Sequence, residues 1–181
     1  MRIGLGYDNH RLVPGRPLML GGVQVPSPVG ADAHSDGDVL IHALVDALLG
    51  AAGLGDIGTH FPDTDPRWKG QASRLFLERA AQWVLERGWG VLNVDATVVL
   101  QEVRLRDHKR SIAANVRQIL APWHALAEDA VNIKAKTNER MDSIGEGKAL
   151  AAHVAVLLVR SSAGGGSAGP SPAGTVPSGE R

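Results

Sequence analysis

The sequence predicts an α+β fold in which helices pack on one face of a mixed β-sheet, with a small β-hairpin in addition. One observation behind this prediction is the alternation of apolar and polar residues over 91–101 and 131–136, which is typical of strands with one face in a core. A second is the helical spacing of apolar residues over 71–87 and 107–120. The third is the order of the elements, which is strand, hairpin, helix, helix, strand, helix, strand, strand.

Composition limits the classes of protein to consider. The chain has 181 residues, enough for one domain with a hydrophobic core, and its formal net charge is zero. Without a basic excess, and with one tyrosine and two phenylalanines, the chain is not expected to bind nucleic acid. It contains no cysteine, so any transition-metal site needs histidine and carboxylate ligands.

The N-terminus enters a predicted strand directly and does not have the pattern of a signal peptide. No apolar run reaches about 18 residues, the lower length for a membrane span. We therefore expect a soluble cytoplasmic protein with no membrane partner.

The first part of the chain contains a strand and a hairpin. Residues 2–10 alternate between large apolar side chains and glycine or aspartate, which predicts a strand. Residues 17–26 contain two short apolar arms that turn at a Gly-Gly pair, which predicts a hairpin. Residues 28–33 are expected to form a loop that leads to a helix over 39–50.

The remaining elements follow in order. The segments 53–58 and 61–66 are rich in Gly, Pro and Asp, which predicts a loop between two helices. The last strand is expected over 151–159, and residues 161–181 are almost entirely Ser, Gly, Ala and Pro, which predicts a disordered tail after a folded domain at 1–160. The strand over 91–101 is expected to turn one set of side chains toward the core: Leu92, Val94, Ala96, Val98 and Leu100.

The helix over 39–50 is apolar almost all round, with one narrow polar stripe. Asp38, His42 and Asp46 are four residues apart, so they lie along one face of a helix. Burying such groups is costly unless they find partners or a metal, which makes the stripe a candidate site. The alternative is the solvated edge of a core helix.

A metal site is predicted where this stripe meets the first strand. Asp8 and His10 are two residues apart on that strand, so their side chains point to the same face. With His42 they supply one carboxylate and two imidazoles, the ligand set of an open zinc site with a fourth position for water or substrate. Other divalent metals that bind imidazole also suit this set, although zinc is preferred. Either Asp38 or Asp46 could accept the second ring N–H of a ligating histidine, and the sequence does not distinguish them.

A phosphate site is predicted just before the helix. His34 and Ser35 precede its start, where backbone N–H groups favour an anion. Asp36 and Asp38 would repel that anion, so a bridging metal is needed. Cationic, hydroxyl and carboxylate groups that suit phosphate and Mg²⁺ occur later in the chain, and their alternative role is the solvated face of a strand: Lys134, Lys136, Thr137 and Glu139.

These segments together resemble the 2-C-methyl-D-erythritol 2,4-cyclodiphosphate synthase family over roughly residues 1–160. The matching segments, in family order and spacing, are Ile3-Gly-Leu-Gly-Tyr-Asp-Asn-His10, Ala33-His-Ser-Asp-Gly-Asp38 with His42, Asp46-Ala-Leu-Leu-Gly50, Gly55-Asp-Ile-Gly58, Phe61-Pro-Asp-Thr-Asp-Pro66, Asn132-Ile-Lys-Ala-Lys-Thr137 with Glu139, and Gly145-Glu-Gly147. This chain has Lys136-Thr137-Asn138 where many members have a run of threonines.

The resemblance implies an activity and an assembly. The substrate is 4-diphosphocytidyl-2-C-methyl-D-erythritol 2-phosphate, whose 2-phosphate attacks the β-phosphorus, closes a cyclic diphosphate and expels CMP in the non-mevalonate isoprenoid pathway. Each subunit holds one Zn²⁺, and Mg²⁺ or Mn²⁺ accompanies the substrate diphosphate. The enzyme is a homotrimer with active sites between neighbouring subunits.

The resemblance also implies the roles of individual residues. Asp8, His10 and His42 match the zinc ligands, and Glu139 matches the ligand of the second metal. His34 and Thr137 match positions that stabilise the transition state. The positions implied to bind substrate, including the cytidine pocket around 100–106 and 136–139, are Asp8, His10, His34, Ser35, Asp56, Ile57, Gly58, Phe61, Asp63, Asp65, Leu100, Arg104, Arg106, Lys136, Thr137, Asn138 and Glu139.

Two other classes of function use the same residues. A zinc phosphohydrolase would direct a metal-bound water at a phosphate ester and release inorganic phosphate. A non-catalytic metal-binding module would take up metal without turnover.

Overall fold

The computed structural model describes residues 1–161. Its strands are β1 (Arg2–Pro14), β2 (Leu18–Leu20), β3 (Val23–Val25), β4 (Val29–Asp32), β5 (Trp89–Val99), β6 (Val131–Lys136) and β7 (Ala149–Arg160). Five of them form one sheet in the order β4–β1–β7–β5–β6, and β2 pairs with β3 in the predicted hairpin. The β5–β6 pair is parallel and the other pairs are antiparallel. The predicted mixed sheet is therefore confirmed.

The helices are α1 (Val39–Ala52), α2 (Ile57–His60), α3 (Ser73–Glu86), α4 (Lys109–Leu120) and α5 (Asp142–Gly145). Helix α1 packs on β1 and β7, and α3 packs on α1, so a continuous apolar core lies between helices and sheet. This confirms the predicted α+β arrangement. Among residues 1–161, no helix is long and apolar enough to cross a membrane. The predicted tail lies outside the described residues apart from Ser161.

Three local predictions are wrong. The predicted loop over 53–58 and 61–66 contains the short helix α2, because Asp56 caps its start. The predicted loop over 28–33 contains β4, which pairs with the end of β1 from Arg11 opposite Asp32 to Pro14 opposite Val29. Leu92 is 48% exposed and not in the core, because the β5–β7 register shifts between Val91 and Asn93. A β-bulge adds one residue to a strand and so reverses the faces on its far side.

Strand β1 and helix α1 are in unusually close contact. A Cβ atom at Gly4 would lie 1.9 Å from the carbonyl oxygen of Ala47, and one at Gly6 would lie 1.8 Å from that of Ala43. Only glycine therefore fits at these two positions of the strand. Because side chains alternate along a strand, the next residues on the same face are Asp8 and His10.

We expect Gly6→Ala to destabilise the fold, since the added methyl group would displace α1 from β1. Overpacking of this kind typically costs about 1–3 kcal/mol in the free energy of unfolding. The matched control is Gly50→Ala, which is on the same helix but exposed, with no atom within 4 Å of the added Cβ. That control should stabilise the helix by about 0.5–1 kcal/mol. Denaturant unfolding of both variants measures the difference, and equal stability of Gly6→Ala and wild type would contradict the packing argument.

Candidate metal centre and adjoining cavity

Three side chains from β1 and α1 bring their donor atoms together. Asp8 Oδ2 lies 3.1 Å from His10 Nε2 and 3.0 Å from His42 Nδ1, and the two ring nitrogens are 3.2 Å apart. The three side chains are partly exposed, at 25%, 16% and 13% respectively. The convergence predicted from the spacing of these residues is therefore present in the structure.

This triangle of donor atoms fits a divalent metal ion. Ligands at about 2.0–2.1 Å from a tetrahedral metal lie about 3.3 Å from one another, close to the separations found here. Burial raises the pKa of Asp8, but hydrogen bonds from His10 and His42 outweigh that effect and lower the pKa to about 2. The carboxylate is therefore charged at neutral pH, as a metal ligand must be. Two imidazoles and one carboxylate leave a tetrahedral position open.

The two aspartates of the polar stripe, Asp38 and Asp46, have a different function from the one predicted for them. Asp38 is fully buried and accepts hydrogen bonds from the backbone N–H groups of Ile41, at 3.0 Å, Gly21, at 2.9 Å, and Gly22, at 2.6 Å. It caps α1 and attaches the β2–β3 hairpin to it, and burial raises its pKa. Asp46 accepts from the backbone N–H of Ile57 at 2.7 Å.

The partner of His42 is a serine that the sequence did not single out. His42 Nε2 lies 2.8 Å from Ser73 Oγ and 3.2 Å from Ser35 Oγ. Ser73 begins α3, 31 residues after His42, so no local spacing could have indicated this contact. The prediction that Asp38 or Asp46 accepts the second ring N–H is wrong, because both carboxylates bond to backbone N–H groups instead.

A cavity of about 490 Å³ opens beside the three donor atoms. It brings together the helix-start residues His34 and Ser35 with His10 and His42. Four more of the predicted binding residues line it: Ile57, Gly58, Phe61 and Asp63. Further lining residues were not predicted: Asp32, Ala33, Pro62, Trp68, Lys69 and Phe76.

Lys69 is the one lysine or arginine that lines this cavity in the described part of the chain. The turn that carries it is attached to the phosphate-site segment, because the N–H of Gly70 donates to the carbonyl of His34 at 2.9 Å. The indole of Trp68 packs edge-on against Phe61, with ring centroids 5.1 Å apart. Lys69 was not predicted, because a lone lysine in a turn has no motif to mark it.

Two predicted binding residues make local contacts and do not line the cavity. Asp56 caps α2, and the hydroxyl and N–H groups of Thr59, which donate to it, lower its pKa. Asp65 pairs with Arg67, which lowers the pKa of Asp65.

The predicted cytidine-pocket residues form a separate group at the ends of β5 and β6. The N–H of Leu100 donates to the carbonyl of Lys136 at 2.9 Å, and Thr137 Oγ1 donates to Glu139 Oε1 at 2.6 Å. The N–H of Asn138 donates to the side chain of Gln101. Within the described residues, this group does not line the cavity beside the metal donors: Leu100, Arg104, Arg106, Lys136, Thr137, Asn138 and Glu139.

Comparison with known proteins gives one consistent result. The YgbB family model matches residues 1–159. Over 159 residues the chain is 51% identical to 2-C-methyl-D-erythritol 2,4-cyclodiphosphate synthase of Dechloromonas aromatica, covering 88% of this chain and 97% of that protein. It is 48% identical to the chloroplastic enzyme of that name from Arabidopsis thaliana, of which it covers 67%.

A solved structure gives the same match. The CDP-bound form of 2C-methyl-D-erythritol-2,4-cyclodiphosphate synthase superimposes with a TM-score of 0.79 at 44% identity, over 87% of this chain and 100% of that one.

We expect His42→Ala to lower zinc affinity strongly, because it removes one of three donor atoms. Replacing a residue that only hydrogen-bonds to a metal ligand typically lowers affinity by about 10–100-fold, and the loss here should be larger. Zinc content after competition with a chelator measures the loss, and circular dichroism verifies that the core remains folded. His108→Ala, next to the start of α4 and away from the donors, is the matched control. Full zinc content in His42→Ala would show that the ligand assignment is wrong.

Proposed function

Because the chain belongs to the YgbB family, whose matched relatives are cyclodiphosphate synthases, we infer that it converts 4-diphosphocytidyl-2-C-methyl-D-erythritol 2-phosphate to 2-C-methyl-D-erythritol 2,4-cyclodiphosphate and CMP. The reaction is of the lyase type and belongs to isoprenoid biosynthesis. An oxygen of the 2-phosphate forms a bond to the β-phosphorus, and the bond from that phosphorus to the CMP oxygen breaks. We assign the catalytic domain to residues 1–160.

The observation that carries this function is the triangle of donor atoms beside the cavity. We assign Asp8, His10 and His42 to one zinc ion per subunit, on the basis of their donor types and separations. A bound zinc ion would polarise a phosphoryl oxygen and orient it for in-line attack. Nucleophile and electrophile belong to one molecule, so the remaining task of the protein is to hold the substrate in a folded conformation.

Residues of the cavity wall supply that positioning. His34 and Ser35 line the cavity just before α1 and are proposed to hold the attacking phosphate, with His34 stabilising the transition state. Lys69, in the turn attached to this segment, adds a positive charge to the cavity wall, which favours a substrate with three phosphate groups. Ile57, Gly58, Phe61 and Asp63 complete a partly apolar wall suited to the methylerythritol chain.

The separate group at the ends of β5 and β6 is proposed to bind the nucleotide half. Glu139 would hold Mg²⁺ or Mn²⁺ with the diphosphate, and Thr137, its hydrogen-bond partner, would contact the phosphate in the transition state. Lys136 and Asn138, with the segment 100–106, would contact cytidine. CDP is present in the solved structure of a relative, which supports a nucleotide site in this family.

A homotrimer would bring the two groups together across a subunit interface. The sheet face opposite α1 exposes large apolar side chains on β1: Ile3 is 78% exposed, Leu5 73% and Tyr7 49%. An apolar surface of this kind usually marks a contact between proteins. In a closed ring, a heterologous contact would place the nucleotide group of one subunit at the cavity of the next.

The reaction is tested directly by phosphorus NMR of the purified protein with substrate, Zn²⁺ and Mg²⁺. We expect two coupled signals of a cyclic diphosphate and an equal amount of CMP, and we expect neither from His42→Ala. Inorganic phosphate would favour the zinc phosphohydrolase. Bound metal with no conversion would favour the non-catalytic module.

Site sharing between subunits is tested by mixing two inactive variants, His42→Ala and Glu139→Gln, in one trimer. If each site takes its halves from two neighbours, about a quarter of the sites in randomly mixed trimers have both halves intact. Activity should therefore return to about a quarter of the wild-type value. The control mixture of His42→Ala with His34→Ala affects the same half of the site and should stay inactive. No recovery in the first mixture would place both halves of each site in one subunit.

A further inference from the structure

We propose that Asp36 and Ser73 are positioning residues that fix the ring tautomer of His42 and thereby set the affinity of the metal site. This proposal rests on the metal site inferred above. It concerns the side of the imidazole that faces away from the metal donors.

A hydrogen-bonded chain leads from His42 into the protein interior. His42 Nε2 lies 2.8 Å from Ser73 Oγ, and Ser73 Oγ in turn donates to Asp36 Oδ1. Ser73 is completely buried. Its backbone N–H donates to the other carboxylate oxygen of Asp36 at 3.1 Å, so both oxygens of Asp36 are directed at one residue.

The direction of this chain follows from the chemistry of its last member. An ionised carboxylate only accepts hydrogen bonds, so Ser73 must use its single proton to donate to Asp36. Ser73 Oγ can then only accept from His42, which requires the proton of the neutral ring to lie on Nε2. When a metal displaces the hydrogen bond to Asp8, Nδ1 keeps its lone pair for the ion, and Nδ1 is the ring atom that lies 3.0 Å from Asp8 and 3.2 Å from His10 Nε2.

Ser35 is the only other serine near Nε2 among the described residues, and it does not impose this direction. Its hydroxyl lies farther away, at 3.2 Å, and accepts from the N–H of Gly37 at 3.1 Å. Within residues 1–161 no carboxylate accepts a hydrogen bond from Ser35, so that hydroxyl can donate or accept. The fixed tautomer therefore depends on Ser73 and Asp36.

The hydrogen bonds from His42 through Ser73 to Asp36 also connect two segments beside the cavity. Asp36 lies in the segment before α1 and accepts from the N–H of Asp38 at 3.3 Å, whereas Ser73 begins α3. Movement of either segment would change the orientation of the His42 ring. Hydrogen bonds behind a ligating histidine typically contribute about 10–100-fold to metal affinity.

Zinc affinity measured by chelator competition gives the first test. We expect Ser73→Ala to weaken zinc binding by about 10–100-fold. Asp36→Asn should also weaken zinc binding, although Ser73 is intact. The asparagine amide can donate to Ser73 Oγ, so Ser73 would no longer be obliged to accept a hydrogen bond from His42. Ser111→Ala, an exposed serine on α4, is the matched control and should bind zinc as wild type does.

Nitrogen-15 NMR of the histidine rings gives a second test. In zinc-loaded wild-type protein, His42 should bind the metal through Nδ1 and carry on Nε2 a proton with the downfield shift of a hydrogen-bonded N–H group. In zinc-loaded Ser73→Ala, that proton should move upfield. This readout would not change if Ser73 only contributed to the stability of α3.

The outcomes separate this proposal from the metal site on which it rests. If His42→Ala leaves zinc binding unchanged, the metal site itself is wrong. If His42→Ala loses zinc while folded Ser73→Ala binds it as tightly as wild type, only the positioning role is overturned. A zinc-loaded wild-type His42 without a hydrogen-bonded proton on Nε2 would overturn it as well, even if Ser73→Ala failed to fold.

Discussion

Helix α1 lies so close to strand β1 that no side chain larger than hydrogen fits between them at Gly4 and Gly6. This contact decides where the donor atoms are. Asp8 and His10 continue the face of the strand that the glycines begin, and His42 lies one helical turn from the start of α1. Ordinary side chains at the glycines would push the helix away from the strand, and His42 would lose its approach to within 3.0 Å of Asp8 and 3.2 Å of His10. The metal site is thus a consequence of backbone packing that contains no functional group.

The N-terminal cap of α1 fixes where the helix begins relative to the β2–β3 hairpin. Asp38 accepts three backbone hydrogen bonds, one from the helix and two from the turn of the β2–β3 hairpin. A fully buried carboxylate is costly without such partners, so helix start and hairpin must form together. That places His34 and Ser35, just before the cap, at the edge of the cavity. The phosphate-site residues therefore depend on a residue that does not itself face the cavity.

Helices and strands in which apolar residues recur at a regular spacing could be predicted from the sequence. Elements that depend on contacts with distant parts of the chain could not. Residues 131–136 alternate without interruption, and the strand has those bounds. Val29 to Asp32 are too few and too small to show a period, and they form a strand only because the end of β1 offers them partners. Leu92 faces outward because of one extra residue in β5, which leaves no mark in the local pattern. The same is true of the site. The spacing of Asp8, His10 and His42 within one strand and one helix indicated the donor group. Ser73 and Lys69 belong to other segments, and only the tertiary fold brings them to the site.

The donor set of the metal centre consists of nitrogen and oxygen atoms only, in a chain without cysteine. Thiolate sites lose their metal when oxidants convert sulfur to disulfide or sulfenic acid. Imidazole and carboxylate offer no such reaction, so peroxide or a shift in the cellular thiol balance leaves the ligands unaltered. Protons and competing metals act on these donors directly. Occupancy of the proposed centre would accordingly follow acidity and metal supply and be insensitive to redox stress.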